Sequence, residues 1–443
     1  MDHTPPARTA QRSALVVPVL CWLALTADGY DLFSYGATVP GLLTAGWGVT
    51  PGTAGAVASL ALVGVLCGSL VAGTLTDLLG RRRLFVTSVA VFSVAMLVCG
   101  IAPSFEVFAA ARFVAGAGIG GLLPTAIALT SEFAGQHRRS LVVGAVLTGP
   151  PLGGVLASVA AMNLVPSGHF QWVYGLGVIP LLLVPVALRL LPESPAFLRA
   201  RGRSAEADAV AAAHGLPTGV PTAPAGSRSP VGALFADGQG PVTLGLWAVN
   251  VCSLLTVFGV STWLPQIMNK AGYGVSSSIG FLLLYSAGAI VGTLVAATLA
   301  ERVGAKAMVL TGFTAATLAL VLLATRPATA VVVLLVVVAG FGGLGTQNLL
   351  NDHVAGYYPA AARATGLGWA LGVGRLGAIA GPSYGALVVG AGNAVVVSSL
   401  GFAVPALIGA LVMSRLPRRG RAVPSAADLP PAPPTSAAAQ RVS

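Results

Sequence analysis

The stretch GTLTDLLGRRRL at residues 73–84 returns as ATLAERVGAKAM at 297–308, 224 residues further along the chain. At the same offset Arg139 falls on Arg363 and Gly144 on Gly368, and one residue more brings RLLP at 189–192 onto SRLP at 414–417. Apolar segments resemble one another by chance; polar loop residues shared at a single spacing do not. The chain therefore reads as two parallel repeats.

Apolar runs fill the space between these anchors. They lie at 15–43, 53–76, 84–103, 106–130, 140–163 and 170–191, and again at 242–267, 276–300, 307–325, 329–351, 364–390 and 394–416. A helix needs about 20 apolar residues to cross a bilayer, so the expectation is twelve spans, six and six. Composition agrees, because 55% of the 443 residues are apolar and 8% are charged, against about 25% charged in soluble domains. A soluble globular protein is excluded. The predicted fold is an all-α membrane protein with six-helix bundles at 15–191 and 241–416, an N-terminal segment at 1–14, a polar linker at 192–240 and a disordered tail at 417–443. The linker is expected to carry one short amphipathic helix followed by a flexible stretch. The first run is too long for a signal-peptide core and holds two aspartates, so cleavage is not expected.

The net charge of +11 would point to nucleic acid in a soluble chain. Here orientation accounts for it. With a cytoplasmic N-terminus, twenty Lys and Arg residues face the cytoplasm, only Lys270 and Arg326 face outward, and Arg112 and Arg375 lie within the membrane. This distribution predicts both termini in the cytoplasm and no nucleic-acid partner. Cys21, Cys67, Cys99 and Cys252 sit in apolar runs without paired spacing, and the five histidines are scattered. No disulfide, metal site, cofactor or enzyme constellation is expected.

Where the repeat fails, it marks the candidate site. Asp28 and Asp31 project onto Cys252 and Leu255, Arg112 onto Val336, and Arg375 back onto Pro151, so each membrane charge is private to one half. At 1.5 Å per residue all converge near the midplane, where carriers place their substrates. Asp28 and Asp31 share a helix face, and two neighbouring carboxylates cannot both ionise cheaply, so one should hold a proton. Asp28, Asp31 and Arg112 are thus assigned to proton coupling. Arg375, among the small residues of GVGRLG, suits a carboxylate substrate bidentately. Tyr35, Trp263, Gln347, Asn348, Trp369 and Tyr384 are further candidates to line a substrate cavity.

The shared loops read instead as moving parts. Gly73 and Gly80 are expected to allow close helix approach, Asp77 to accept hydrogen bonds at a helix N-terminus, and Arg81 with its neighbours to anchor at the lipid surface. Glu132, Arg139, Glu301 and Arg363 complete the charges of a cytoplasmic latch that must break in one state.

These residues resemble the major facilitator superfamily: twelve spans, the Gly73–Arg83 loop, RFVAGAGIGG from Arg112 and PESP at 192–195. More narrowly the chain is similar to the aromatic acid:H+ symporter family through DGYD at 28–31, RFVAGAGIGGLLPTAIALTSEF at 112–133, STWLP at 261–265 and YYPAAARATGLGWALGVGRLGAIAGP at 357–382. The resemblance implies a proton-coupled importer of a benzoate-like or hydroxybenzoate-like acid, working as a monomer in a bacterial inner membrane. It implies that Asp28 and Asp31 match paired aspartates required for transport, that Asp77 matches the loop aspartate, and that Arg112, Glu132, Arg363 and Arg375 match important charged positions. Thr125, Glu301 and the GGLGTQNLLND stretch of span 10 depart from the pattern. An aliphatic acid, a sugar, drug antiport, or a receptor that binds an acid without moving it are the alternative readings.

Overall fold

In the computed structural model, residues 7–134, 139–216, 231–359, 362–391 and 394–417 are described, with the side chains of residues 7–14, 77, 140, 233, 237, 297, 364 and 394 excepted. The fold is helical. The first six spans are α1 (Ala7–Leu42), α2 (Pro51–Leu79), α3 (Arg81–Gly100), α4 with α5 (Phe105–Ile119, Leu122–Phe133), α6 with α7 (Arg139–Val146, Gly149–Leu164), and α8 with α9 (Phe170–Leu176, Leu183–Leu190). After the short helices α10 (Pro195–Ala200) and α11 (Ser204–Ala213) come α12 (Gly240–Lys270), α13 (Val275–Val303), α14 (Ala305–Leu323), α15 with α16 (Thr329–Gly342, Leu344–Tyr357), α17 (Arg363–Gly390) and α18 (Ala394–Arg415). Among the described residues eleven of these spans are long and apolar enough to cross a bilayer. The twelfth, α17, carries Arg363 and Arg375 and packs along α12.

Glycines hold each half together. Gly64 and Gly68 of α2 face the backbone carbonyls of Phe113 and Ala117, while Gly116 of α4 and Gly120 at its end face those of Ala61 and Val65. In lipid no hydrophobic force drives helices together, so such backbone contact supplies the packing. The seam recurs in the second half, where Gly288 and Gly292 of α13 meet Val337 and Phe341 of α15, and Gly340 meets Tyr285. Three of the four glycines repeat at the offset of 224. So do the turns: Gly80 between α2 and α3 and Gly304 between α13 and α14 adopt φ of +89° and +87°. A side chain would strain both positions.

The two halves meet along α2 with α17, α7 with α13, and α1 with α12. The face that carries Arg81–Arg83 is here called the arginine-rich face. Contacts between halves run from the opposite face to mid-membrane: Gly36 against the Ser261 carbonyl, Ser59 Oγ to Ser383 Oγ at 2.7 Å, Ser276 Oγ to the Met162 carbonyl at 3.1 Å, and Gly154 against Ser286. Gly73, Gly144, Gly368 and Gly372 have nothing within 4 Å of the position a Cβ would take.

The linker differs from its expected form. It carries two short helices rather than one, and they lie against the first half: Leu198, Ala207 and Ala211 are buried and Arg201 Nη2 donates to the Leu78 carbonyl at 2.8 Å. Residues 217–230 and 418–443 lie outside the described residues.

Candidate functional site

Asp28 and Asp31 are buried on one face of α1, 4% and 1% exposed, and Arg112 of α4 is 2% exposed. Arg112 Nη1 pairs with Asp31 Oδ1. The guanidinium is further held by Met96 Sδ at 3.7 Å and lies 5.5 and 5.7 Å from the ring centroids of Tyr35 and Tyr174. Tyr174 in turn shares a 2.6 Å hydrogen bond with Thr38. Cation–π contact and the ion pair together give Arg112 a fixed seat. Asp31 is therefore a committed counterion.

Asp28 stands differently. Its Oδ1 is buried without a hydrogen-bond partner among the described residues. Asp31 and Arg375 both act on it electrostatically. Arg375 belongs to the other half, where α17 lies along α2 and Arg375 Nη1 donates to the Val65 carbonyl at 3.2 Å. Among the described residues this carbonyl is its one hydrogen-bond acceptor, which leaves guanidinium donors for another. Gly29, between the two aspartates, sits on the Pro150 backbone, so α1 and α7 touch where DGYD turns its carboxylates inward.

Several expected lining residues belong to the packing instead. Tyr35 is buried beneath Arg112 and donates its hydroxyl to the Ala54 carbonyl at 2.6 Å. Trp263 is fully buried and its indole N–H donates to the Pro382 carbonyl at 2.8 Å, tying α12 to the proline of α17. Tyr384 donates to the Gly401 carbonyl at 2.8 Å and packs edge-on against Phe402. Trp369 is 44% exposed on the same stripe of α17 as Leu376 and Leu387 and stacks on Trp247 at 5.6 Å. That stripe faces lipid, which suits an interfacial aromatic. Gln347 is buried in a polar cluster with Asn250, Ser253 and Asn351, and Asn348 beside it is half-buried.

The latch is built around a residue the loop motif did not reveal. Glu193 Oε1 accepts from the backbone N–H groups of Arg81, Arg82 and Ser194 at 2.9, 3.2 and 3.0 Å. It caps α3, where the unpaired amides and the helix dipole favour an anion. Gly80 suits this turn because its φ of +89° would strain any side chain, and a Cβ would also meet this carboxylate. Glu132 of α5 pairs with Arg81 and accepts from Ser194 Oγ at 2.5 Å. Gly73 makes no close helix contact and stands open. Arg139, Glu301 and Arg363 are exposed at the arginine-rich ends of α6, α13 and α17. The side chain of Asp77 lies outside the described residues.

The family model for the Major Facilitator Superfamily matches residues 21–382 and 278–440. The chain belongs to the major facilitator superfamily. Members move solutes rather than transform them, so this protein is a transporter and not an enzyme. It is 33% identical to the gentisate transporter of Corynebacterium glutamicum over 91% of this chain and 88% of the relative. It is 33% identical to the 3-(3-hydroxy-phenyl)propionate transporter of Escherichia coli, covering 94% and 98%, and 31% identical to the benzoate transport protein of Acinetobacter baylyi, covering 83% and 81%. These place the chain among the aromatic acid transporters of the superfamily. Its fold matches that of a D-xylose-proton symporter with a TM-score of 0.73 at 17% identity over 91% of this chain and 98% of the symporter.

Within that fold two crevices open at the face opposite the arginines, 340 and 250 Å³ in volume. Pro103 lines one and Pro327 the other, 224 residues apart. They are repeat counterparts produced by the architecture, and neither includes the mid-membrane charges. For a carrier of this superfamily the private charges of the two halves remain the candidate site.

Proposed function

We propose that this protein imports a small aromatic carboxylate together with a proton, in a bacterial inner membrane with both termini in the cytoplasm. The observation that carries the reading is Asp28: a buried carboxyl with one oxygen unpartnered among the described residues, within the electrostatic influence of an arginine of the other half. A fixed Arg112–Asp31 pair keeps one negative charge in place, so Asp28 is the group whose proton comes and goes. Substrate carboxylate binds Arg375 and competes with Asp28 for it. Loss of that cation favours the protonated form of Asp28, so substrate and proton travel together.

Access alternates as the halves rock. The open space at Gly73, Gly144, Gly368 and Gly372 supports a state open to the cytoplasm. Register supplies the closing contacts of the other state. Fifteen residues along the chain from the Gly154–Ser286 contact, at the start of α6 and near the end of α13, stand Arg139 and Glu301; twelve residues from Val65–Arg375 along the antiparallel α2 and α17 stand Asp77 and Arg363. Each seam thus ends in one acid and one arginine, which pair across the halves when the cytoplasmic side shuts. The relatives named as aromatic acid transporters support the substrate class, and the working unit is taken as the monomer.

The test is uptake of labelled benzoate and 4-hydroxybenzoate into vesicles under an imposed inward proton gradient. Gradient-driven uptake that Asp28→Asn abolishes is expected. Uptake indifferent to the gradient and to a protonophore would refute proton coupling, and no uptake of either acid by folded protein would refute the substrate class.

A further inference from the structure

The second half carries a polar cluster that its architecture does not require. Ser253 Oγ of α12 donates to Gln347 Oε1 of α16 at 2.5 Å, Gln347 Nε2 donates to Asn250 Oδ1 and Asn351 Oδ1 at 3.3 Å each, and Asn250 Nδ2 donates to the Leu246 carbonyl at 3.0 Å. Asn250, Ser253 and Gln347 are 0%, 5% and 8% exposed, while Asn351 is half-buried. In the first half the positions 224 residues earlier are Thr26, Gly29, Leu123 and Ile127. The same six-span bundle therefore forms without this cluster. Four amide and hydroxyl side chains at membrane depth are costly unless mutually bonded, and such groups mark solute pathways.

Its position is set by two contacts. Helices α1 and α12 run in the same direction and touch at Gly36 and Ser261. Eight residues toward the arginine-rich face on each stand Asp28 and Ser253, about 12 Å below that contact and level with one another. On the other side Gly374, next to Arg375, lies against Asn250. The cluster thus stands in the second half at the depth of the charges, with Asn250 against the chain neighbour of the arginine assigned to the substrate carboxylate.

The geometry points to Asn250, Ser253 and Gln347 as the group that recognises hydroxyl substituents on the ring, making hydroxylated aromatic acids the preferred substrates over unsubstituted ones. This rests on the reading of the protein as an aromatic carboxylate importer. A ring hydroxyl donates and accepts, so it can enter the chain of hydrogen bonds without leaving a buried partner empty, whereas a bare ring edge cannot. The charged half then reads what every substrate shares, and the uncharged half reads what distinguishes them.

The experiment compares kcat/KM for benzoate, 4-hydroxybenzoate and 2,5-dihydroxybenzoate in proton-loaded vesicles. The variants are Gln347→Leu and Asn250→Thr, which install the counterpart residues of the first half, and Ser253→Ala, which removes a single hydroxyl and guards against misfolding of the larger changes. Wild type is expected to favour a hydroxylated acid, and each variant to lower the hydroxylated-to-benzoate ratio, tenfold or more for Gln347→Leu. A wild-type preference for benzoate, or a ratio unchanged within twofold in all three variants, overturns this proposal while leaving the importer reading standing. Absence of uptake of all three acids by folded wild type overturns the importer reading and this one with it.

Discussion

Removing Arg112 separates a structural charge from a working one. With Arg112 and Asp31 almost fully buried as a pair, Arg112→Met leaves a carboxylate with no counterion at that seat. Breaking a buried pair from one side costs about 3–5 kcal/mol. The isolated carboxyl escapes only by binding a proton, which at pH 7 costs about 4 kcal/mol for an ordinary aspartate pKa near 3.9; the two limits agree. At roughly 2 °C per kcal/mol for a long chain, the variant should unfold some 6–10 °C below wild type in detergent. The protein carries its own reporters, because Cys21 and Cys99 are buried thiols that a maleimide dye reads as they become exposed. The sign with pH follows. The folded variant holds a proton that the unfolded chain has released, so its deficit should shrink by about 1.4 kcal/mol per unit as pH falls from 7 to 5. Adding Asp31→Asn should restore most of the loss at pH 7. A variant within 2 °C of wild type, or a deficit unaffected by both acid and Asp31→Asn, would refute the assignment of Arg112 and Asp31 as a fixed pair.

Asp28→Asn gives the converse pattern: unfolding within about 2 °C of wild type, since no ion pair is broken, with gradient-driven uptake down at least a hundredfold. Glu193→Gln removes the charge from three amide hydrogen bonds, two at the start of α3 and one from Ser194, each worth about 1.5–3 kcal/mol when charge-assisted; a lowered unfolding temperature checks it, with Glu193→Ala falling further. Gly36→Leu would drive a side chain into the Ser261 carbonyl where the halves touch, so uptake should fall tenfold or more while the arginine-rich side stays open to thiol labelling. Arg139→Glu should slow uptake several-fold, and Glu301→Arg added to it should restore much of the rate; failure of that rescue would remove the pair from the gate.

Much of this was legible in the sequence because membrane physics enlarges a few signals. A charged residue in an apolar run is conspicuous, so Asp28, Asp31, Arg112 and Arg375 could be singled out and their shared depth counted from the span ends. The offset of 224 was legible too, and it ran deeper than the polar loops: Gly64, Gly68 and Gly116 have counterparts in Gly288, Gly292 and Gly340, a pattern open to inspection before any helix was placed. The aromatics were not legible. Whether Tyr35, Trp263 or Tyr384 faces a cavity depends on which distant carbonyl takes its hydrogen, and Trp263 finds Pro382 119 residues away. Glu193 was hidden for the same reason, since the amides it caps lie more than a hundred residues earlier.

That contrast bears on how such a carrier is put together. Features repeated in both halves, the glycine seams, the left-handed glycine turns and the acid–arginine ends of the two crossing seams, are those that rigid-body rocking needs, and each works only if the two copies match in length and angle. Features private to one half carry no such constraint. A charge trio could settle on α1 and α4 and an amide cluster on α12 and α16 without disturbing the other bundle, because helices packed through glycine backbones leave the facing side chains free to differ. Substrate choice and proton coupling are in this view separable by mutation: changes at Asn250, Ser253 or Gln347 should alter which acid is carried at an unchanged proton-to-acid ratio, and Asp28→Asn should abolish the coupling for every acid alike. A variant of the amide cluster that changed the number of protons moved per acid would show that the two halves share the work after all.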